Sequence, residues 1–169
     1  APRLSTRWAA VRAGLARFGN NNFLYTQYGS WVRPKVLVVD KVLEYDAPQS
    51  TAVCPKNCTR CIDACPTQCI LPDRTVDSRR CISYLTIEAR DSIPHELRAL
   101  HADWLFGCDI CQQVCPYNKT FTKPTEDPAF QLRASFLDAT LERFLSLEPD
   151  NWRRDLKGSP MLRAKRTGL

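Results

Sequence analysis

The chain has 169 residues, 44% of them hydrophobic and 25% charged, enough for one compact domain or a lobe of a larger protein with a real core. No apolar run approaches the ~20 residues that cross a membrane as a helix. The N-terminus, APRLSTRWAAVRAGLARFG, lacks the uninterrupted apolar segment of a signal peptide, so a soluble, cytoplasmic protein with no membrane partner is expected.

Taken in chain order, Trp8, Val11, Leu15 and Phe18 fall at helical spacing, with Ser5 or Thr6 to cap the start and Gly19 to end it. Phe23-Leu24-Tyr25 and Lys35-Val36-Leu37-Val38-Val39 read as short strands punctuated by Gly29-Ser30, with Pro34 at an edge or bulge. Residues 46–75, dense in Pro, Asp and Cys, read as loops with short helical turns. Ser78 caps a predicted helix over 79–89, and a second follows Pro94 toward Trp104 and Leu105. Residues 120–128 form a linker, and two further helices, about 129–137 and 140–147, lead into a basic tail. The expected domains are 1–45, the remnant of an upstream region with a helix and short strands; 46–120, a ferredoxin-like domain; and 121–169, a helical basic extension. The expected fold class is therefore α+β: a ferredoxin-like double-cluster core, flanking helices and a short hairpin-like region.

The formal charge of +6 is uneven: residues 1–35 carry +6, residues 151–169 carry +5, and the middle carries −5. Basic ends suit an anionic partner such as RNA, or are simply solvated faces.

The chemistry lies in nine cysteines, at 54, 58, 61, 65, 69, 81, 108, 111 and 115. The first run, CPKNCTRCIDACP, has the spacing C-x3-C-x2-C-x3-C-P; the second has Cys81, then 26 residues, then CDICQQVCP. Two runs ending in C-x3-C-P match bacterial two-cluster ferredoxins, in which the last cysteine of each run ligates the other [4Fe–4S] cluster. Cysteines two residues apart in a tight loop direct their thiolates to neighbouring corners of a cube, and a reversal at Pro carries the next one to the other cube. The spacing assigns Cys54, Cys58, Cys61 and Cys115 to one cluster, and Cys65, Cys81, Cys108 and Cys111 to the other. The usual first spacing is C-x2-C, but Pro55 stands where that cysteine would be; one extra loop residue keeps Cys54 as a ligand. Cys69 is then the spare, a small buried residue packed near a cluster, although it is the alternative fourth ligand. Two clusters, each about −2 with its four thiolates, bring the metallated chain to roughly +2.

Three other readings of the cysteines fit less well. A disulfide framework expects a secreted chain and an even count. Structural zinc prefers two separated pairs, and a redox dithiol needs only one C-x-x-C. His95 and His101 are expected to be solvated on a surface helix. Trp104 and Phe106 either screen a cluster from water or pack in the core. No Ser/His/Asp arrangement, phosphate-binding loop or paired-carboxylate site stands out, which argues against a hydrolase.

Several stretches carry a wider likeness: AVRAGLARFGNNNFLYTQYGSW (10–31), CTRCIDACPT (58–67), RRCISYLTIE (79–88), FGCDICQQVCPYNK (106–119) and GSPMLRAKRTGL (158–169). By these the chain resembles the second half of the epoxyqueuosine reductases, cobalamin-dependent iron–sulfur proteins. The resemblance implies an electron path from a redox donor such as flavodoxin or ferredoxin, through two [4Fe–4S] clusters, to cobalamin. In the family the cobalamin then reduces epoxyqueuosine in tRNA. It also implies that Ser83, Tyr84, Leu85 and Thr86 lie near the corrin, with Ser83, Tyr84 and Thr86 as its contacts, and that Arg163, Lys165 and Arg166 meet RNA phosphates. The family's N-terminal domain and its proton-donating aspartate are expected to lie before Ala1, so the chain is expected to be a fragment with no catalytic residue of its own. ARFGNNN departs from the more usual GWxGKN, which implies a relative acting on another substrate. Other readings are a free-standing two-cluster carrier, a relative of the reductive dehalogenases and, more distantly, an RNA-binding structural protein.

Overall fold

The computed structural model describes residues 4–48, 54–137 and 139–164. They group into two compact units, one drawn from 1–65, 70–76 and 110–123, the other from 66–69, 77–109 and 124–169. Among the described residues there are short helices and one two-stranded antiparallel sheet, in agreement with an α+β class. None of the helices is long and apolar enough to cross a membrane.

The first unit opens with α1 (Thr6–Arg12), whose start Ser5 caps by accepting the Trp8 N–H. The helix is shorter than its apolar spacing predicts. Gly14, not Gly19, ends it: φ is +70° there, and a Cβ would come within 2.2 Å of Pro48 Cβ. The chain released by this turn forms β1 (Arg17–Phe18), which pairs with β2 (Leu24–Tyr25) in the register Arg17↔Tyr25 and Phe18↔Leu24. Ala10, Ala16 and Leu24 form a small core with Val11 and Phe18 against it, while Leu15, expected on the helix face, is exposed. Arg7 lies over the Phe18 ring, 4.8 Å from its centroid, and donates to the Asn22 carbonyl and to Asn22 Oδ1.

The predicted strand over 35–39 does not form; Leu37 is 86% and Val38 83% exposed. Strand-forming side chains need a neighbour to pair with, and no described strand offers one. Further along this unit, α2 (Arg60–Asp63) and α5 (Ile110–Gln113) are single turns, as the Pro- and Cys-rich loops predict for the first of them, and α6 (Pro116–Phe121) has six residues. α2 packs on α5.

The second unit carries α3 (Ile82–Ile87), which starts three residues later than predicted. Asp77 holds Arg79 instead, accepting from its backbone N–H and from its guanidinium, so residues 78–80 form a turn. α4 (His95–Arg98) runs into a 3₁₀ turn, Ala99–His101, and stops at Ala102, where φ is +45°, short of Trp104. His101 is not solvated as expected. It follows Leu97 by four residues on one helical face, and both are buried. Neither ring nitrogen has a hydrogen-bond partner, and burial lowers the pKa of the imidazole.

Beyond the linker come a 3₁₀ turn (Pro128–Phe130), α7 (Ala134–Leu137), α8 (Leu141–Leu145), α9 (Pro149–Asp155) and a last 3₁₀ turn, Pro160–Arg163. α9 was not anticipated from the apolar pattern; Pro149 at its first turn is the signal for it. Trp152, Leu156 and Met161 form the core of this unit, flanked by Leu105, Phe106, Phe136, Phe144, Leu147 and Leu162. Phe106 therefore packs in the core.

Candidate metal centre

In the first unit the extra residue between Cys54 and Cys58 is absorbed by a turn. The Cys58 N–H donates to the Pro55 carbonyl at 3.2 Å, which lets both cysteines face one space. Cys61 sits in the single turn of α2. From the other end of the sequence, Cys115 caps α6 with an extended backbone, and Pro116 starts that helix without needing an N–H donor. Cys54, Cys58, Cys61 and Cys115 line one cavity of about 240 Å³, walled by Pro55, Pro116 and Tyr117. That space is many times the roughly 10–15 Å³ that one water requires.

These residues fit an iron–sulfur cube. The four sulfurs surround a space, as four thiolates must when each binds a different iron of one cluster. Without iron, the Cys61 thiol stays protonated. Burial, joined by the neighbouring Cys54, Cys58 and Cys115, pushes the Cys61 thiol up to about 11. A positive core reverses that cost and holds the thiols deprotonated.

The iron-free protein should therefore lose stability as pH rises. A thiol whose pKa is about 9 when unfolded and about 11 when folded stabilises the fold fully below pH 9, and that contribution is lost as pH passes 11. Thermal melts of chelator-stripped protein at pH 8, 10 and 11 check this; a melting temperature that does not fall contradicts it.

Polar groups that sequence reasoning passed over tie the two cysteine runs to the N-terminal hairpin. Asn20 Nδ2 donates to the Cys58 carbonyl at 2.7 Å, and Asn21 Nδ2 to the Cys111 carbonyl at 3.3 Å. The Tyr25 hydroxyl lies 3.0 Å from Cys115 Sγ, and the Tyr117 hydroxyl donates to the Thr26 carbonyl. Asn118, buried, accepts the Ser30 N–H and donates to Ser30 Oγ and the Gln112 carbonyl. The Asn run at 20–22 and the Gly29-Ser30 pair were the available signals, but they read as ordinary loop residues. Asn118→Ala orphans the Ser30 N–H in a buried site. It should cost about 1–3 kcal/mol in urea unfolding, and an unchanged midpoint would contradict this account.

Of the other predicted ligands, Cys65 and Cys111 lie in the first unit and Cys81 and Cys108 in the second. Cys81 caps α3 with φ −70° and ψ 119°, matching Cys115 ahead of α6 at −71° and 120°. Cys69 is buried at 4% exposure, and its carbonyl accepts the Asp77 N–H. On α3, Tyr84 is exposed and Ser83 half-buried. Thr86 is buried, donating to the Ile82 carbonyl and accepting the Gly107 N–H. Arg163 pairs with Glu88 at 2.8 Å; Lys165 and Arg166 lie outside the described residues.

Residues 52–118 match the family of 4Fe-4S double cluster binding domains. The epoxyqueuosine reductase of Cellulophaga algicola is 42% identical over the whole of this chain, and that of Xanthomonas campestris pv. campestris is 40% identical over 94% of it. The chain is a relative of the epoxyqueuosine reductases. It spans about half the length of these relatives, 54% of the first and 44% of the second. The solved epoxyqueuosine reductase of Streptococcus thermophilus superposes on 97% of the chain with a TM-score of 0.72 at 28% identity, and 44% of its own length is covered. A second solved epoxyqueuosine reductase, described with an epoxyqueuosine-modified tRNA stem loop, covers 99% of the chain with a TM-score of 0.72 at 27% identity, over 43% of its own length.

Proposed function

We propose that this chain is the electron-delivering half of a cobalamin-dependent reductase resembling epoxyqueuosine reductase, acting in the cytoplasm on tRNA. The observation that carries the reading is the cavity on which Cys54, Cys58, Cys61 and Cys115 converge from two distant stretches of sequence. The proposal places a second [4Fe–4S] cluster on Cys65, Cys81, Cys108 and Cys111, by the crossed wiring of a ferredoxin-like core. When bound, the clusters supply one-electron chemistry. The protein's part is to hold their sulfurs, restrict water and set their potentials.

On the corrin side, Ser83 and Tyr84 present the accessible face of α3, and Thr86 locks that helix to Gly107 from behind. Basic residues such as Arg163, Lys165 and Arg166 meet RNA phosphates in this reading, supported by the tRNA stem loop named with the solved relative. Electrons come from a small redox protein such as flavodoxin or ferredoxin. The second reading, a free-standing two-cluster carrier, draws on the match of 52–118 alone.

Two assays separate them. Cobalamin titration of the complete polypeptide that contains this chain should give a bound corrinoid, and reduced protein should convert epoxyqueuosine in tRNA to queuosine. Corrinoid binding without conversion would point to a different substrate, and no corrinoid binding would leave the carrier.

A further inference from the structure

Tyr25 is 2% exposed and among the largest fully buried side chains. Its hydroxyl, the one polar atom of that side chain, lies 3.0 Å from Cys115 Sγ, and its ring lines the same cavity as the four cysteines. The ring is seated with some care. It stands edge-on to Tyr117, with centroids 5.3 Å apart, and it occupies the space beside Gly19, where any Cβ would fall 2.0 Å from Tyr25 Cε2. A phenylalanine would fill this slot equally well, so packing alone does not account for the hydroxyl.

A thiolate that ligates iron has no proton to give, so in the metallated protein the hydrogen bond has one direction, from phenol to sulfur. Reduction adds one negative charge to a cluster and spreads part of it onto the sulfurs. A donor aimed at a ligating sulfur stabilises the reduced state more than the oxidised one. Hydrogen bonds to the sulfurs are among the features that set cluster potentials.

We propose that Tyr25 is a positioning residue that raises the reduction potential of the cluster held by Cys54, Cys58, Cys61 and Cys115, by donating a hydrogen bond to the Cys115 sulfur. The proposal rests on the cluster reading above. It deepens that reading by making the two clusters unequal through a residue outside the cysteine pattern.

The test is a redox titration of the reconstituted chain followed by electron paramagnetic resonance, with iron and sulfide content measured beside it. Tyr25→Phe should retain its iron and shift one cluster to a more negative potential while the other stays put. The expected effect is about a tenfold loss in the one-electron reduction equilibrium, which corresponds to 59 mV. Tyr28→Phe, an exposed tyrosine of the same unit that does not line the cavity, should move neither. Should Tyr25→Phe fail to hold iron, 3-fluorotyrosine at position 25 decides: its more acidic hydroxyl donates more strongly and should move the same cluster positive. Full iron content with unmoved potentials in the variant used overturns the proposal. A wild-type chain that takes up no iron or sulfide overturns the cluster reading itself, and the proposal with it.

Discussion

Replacing Cys61 by Ala should cut the iron of anaerobically reconstituted protein from about eight to about four atoms per chain, with sulfide falling in parallel. Cys61 is buried in the single turn of α2, among three other sulfurs that line the same cavity. Three sulfurs leave one iron corner without a protein ligand, so the cube is lost to solvent and chelators. Cys69→Ala is the matching control. Cys69 is just as buried, but it is not among the residues that line this cavity, and its carbonyl accepts the Asp77 N–H. Its removal should leave iron at the wild-type value. Iron loss from the Cys69 variant, with retention in the Cys61 variant, would reverse the assignment of ligand and spare.

Trp152→Ala should destabilise the second unit by about 3–5 kcal/mol, as truncations of large buried aromatics do. The side chain is 5% exposed and stands with Leu156 and Met161 at the centre of the largest apolar cluster described, ringed by Phe106, Phe136 and Phe144. The helices around it are four to seven residues long, too short to be stable by themselves, so their order depends on this packing. Urea unfolding followed by tryptophan-independent far-ultraviolet dichroism should show an earlier transition. Iron held by Cys54, Cys58, Cys61 and Cys115 should survive in the variant, because all four belong to the first unit. A variant as stable as wild type would mean that the terminal helices are not held by this core.

The site was legible where its chemistry depends on spacing along the chain. The C-x2-C-x3-C-P runs bring Cys58, Cys61 and Cys115 to one cavity, and a turn closed by Pro55 in the longer C-x3-C step lets Cys54 line it too. What escaped was set by contacts distant in sequence. Tyr25 meets Cys115 across 90 residues, and Ser30 meets Asn118 across 88; neither residue carries a local signal of that partnership. His101 was expected on the solvated face of a surface helix, whereas its place four residues after Leu97 turns it inward.

The fold divided in the same way. Short helices around Pro and Cys were expected, but α1 ends at Gly14, where φ is positive, five residues before the predicted Gly19. The Lys35–Val39 run shows the limit of propensity. Its side chains suit a strand, and the described structure pairs it with nothing.

The central claim is that eight thiolates from two separated stretches hold two iron–sulfur cubes. Native mass spectrometry of the anaerobically purified chain reads this in one spectrum. The account predicts a folded species heavier than the bare polypeptide by two [4Fe–4S] cores, with a one-core species appearing on mild oxidation. A folded chain that carries zinc, or no metal at all, after reconstitution with iron and sulfide would contradict it.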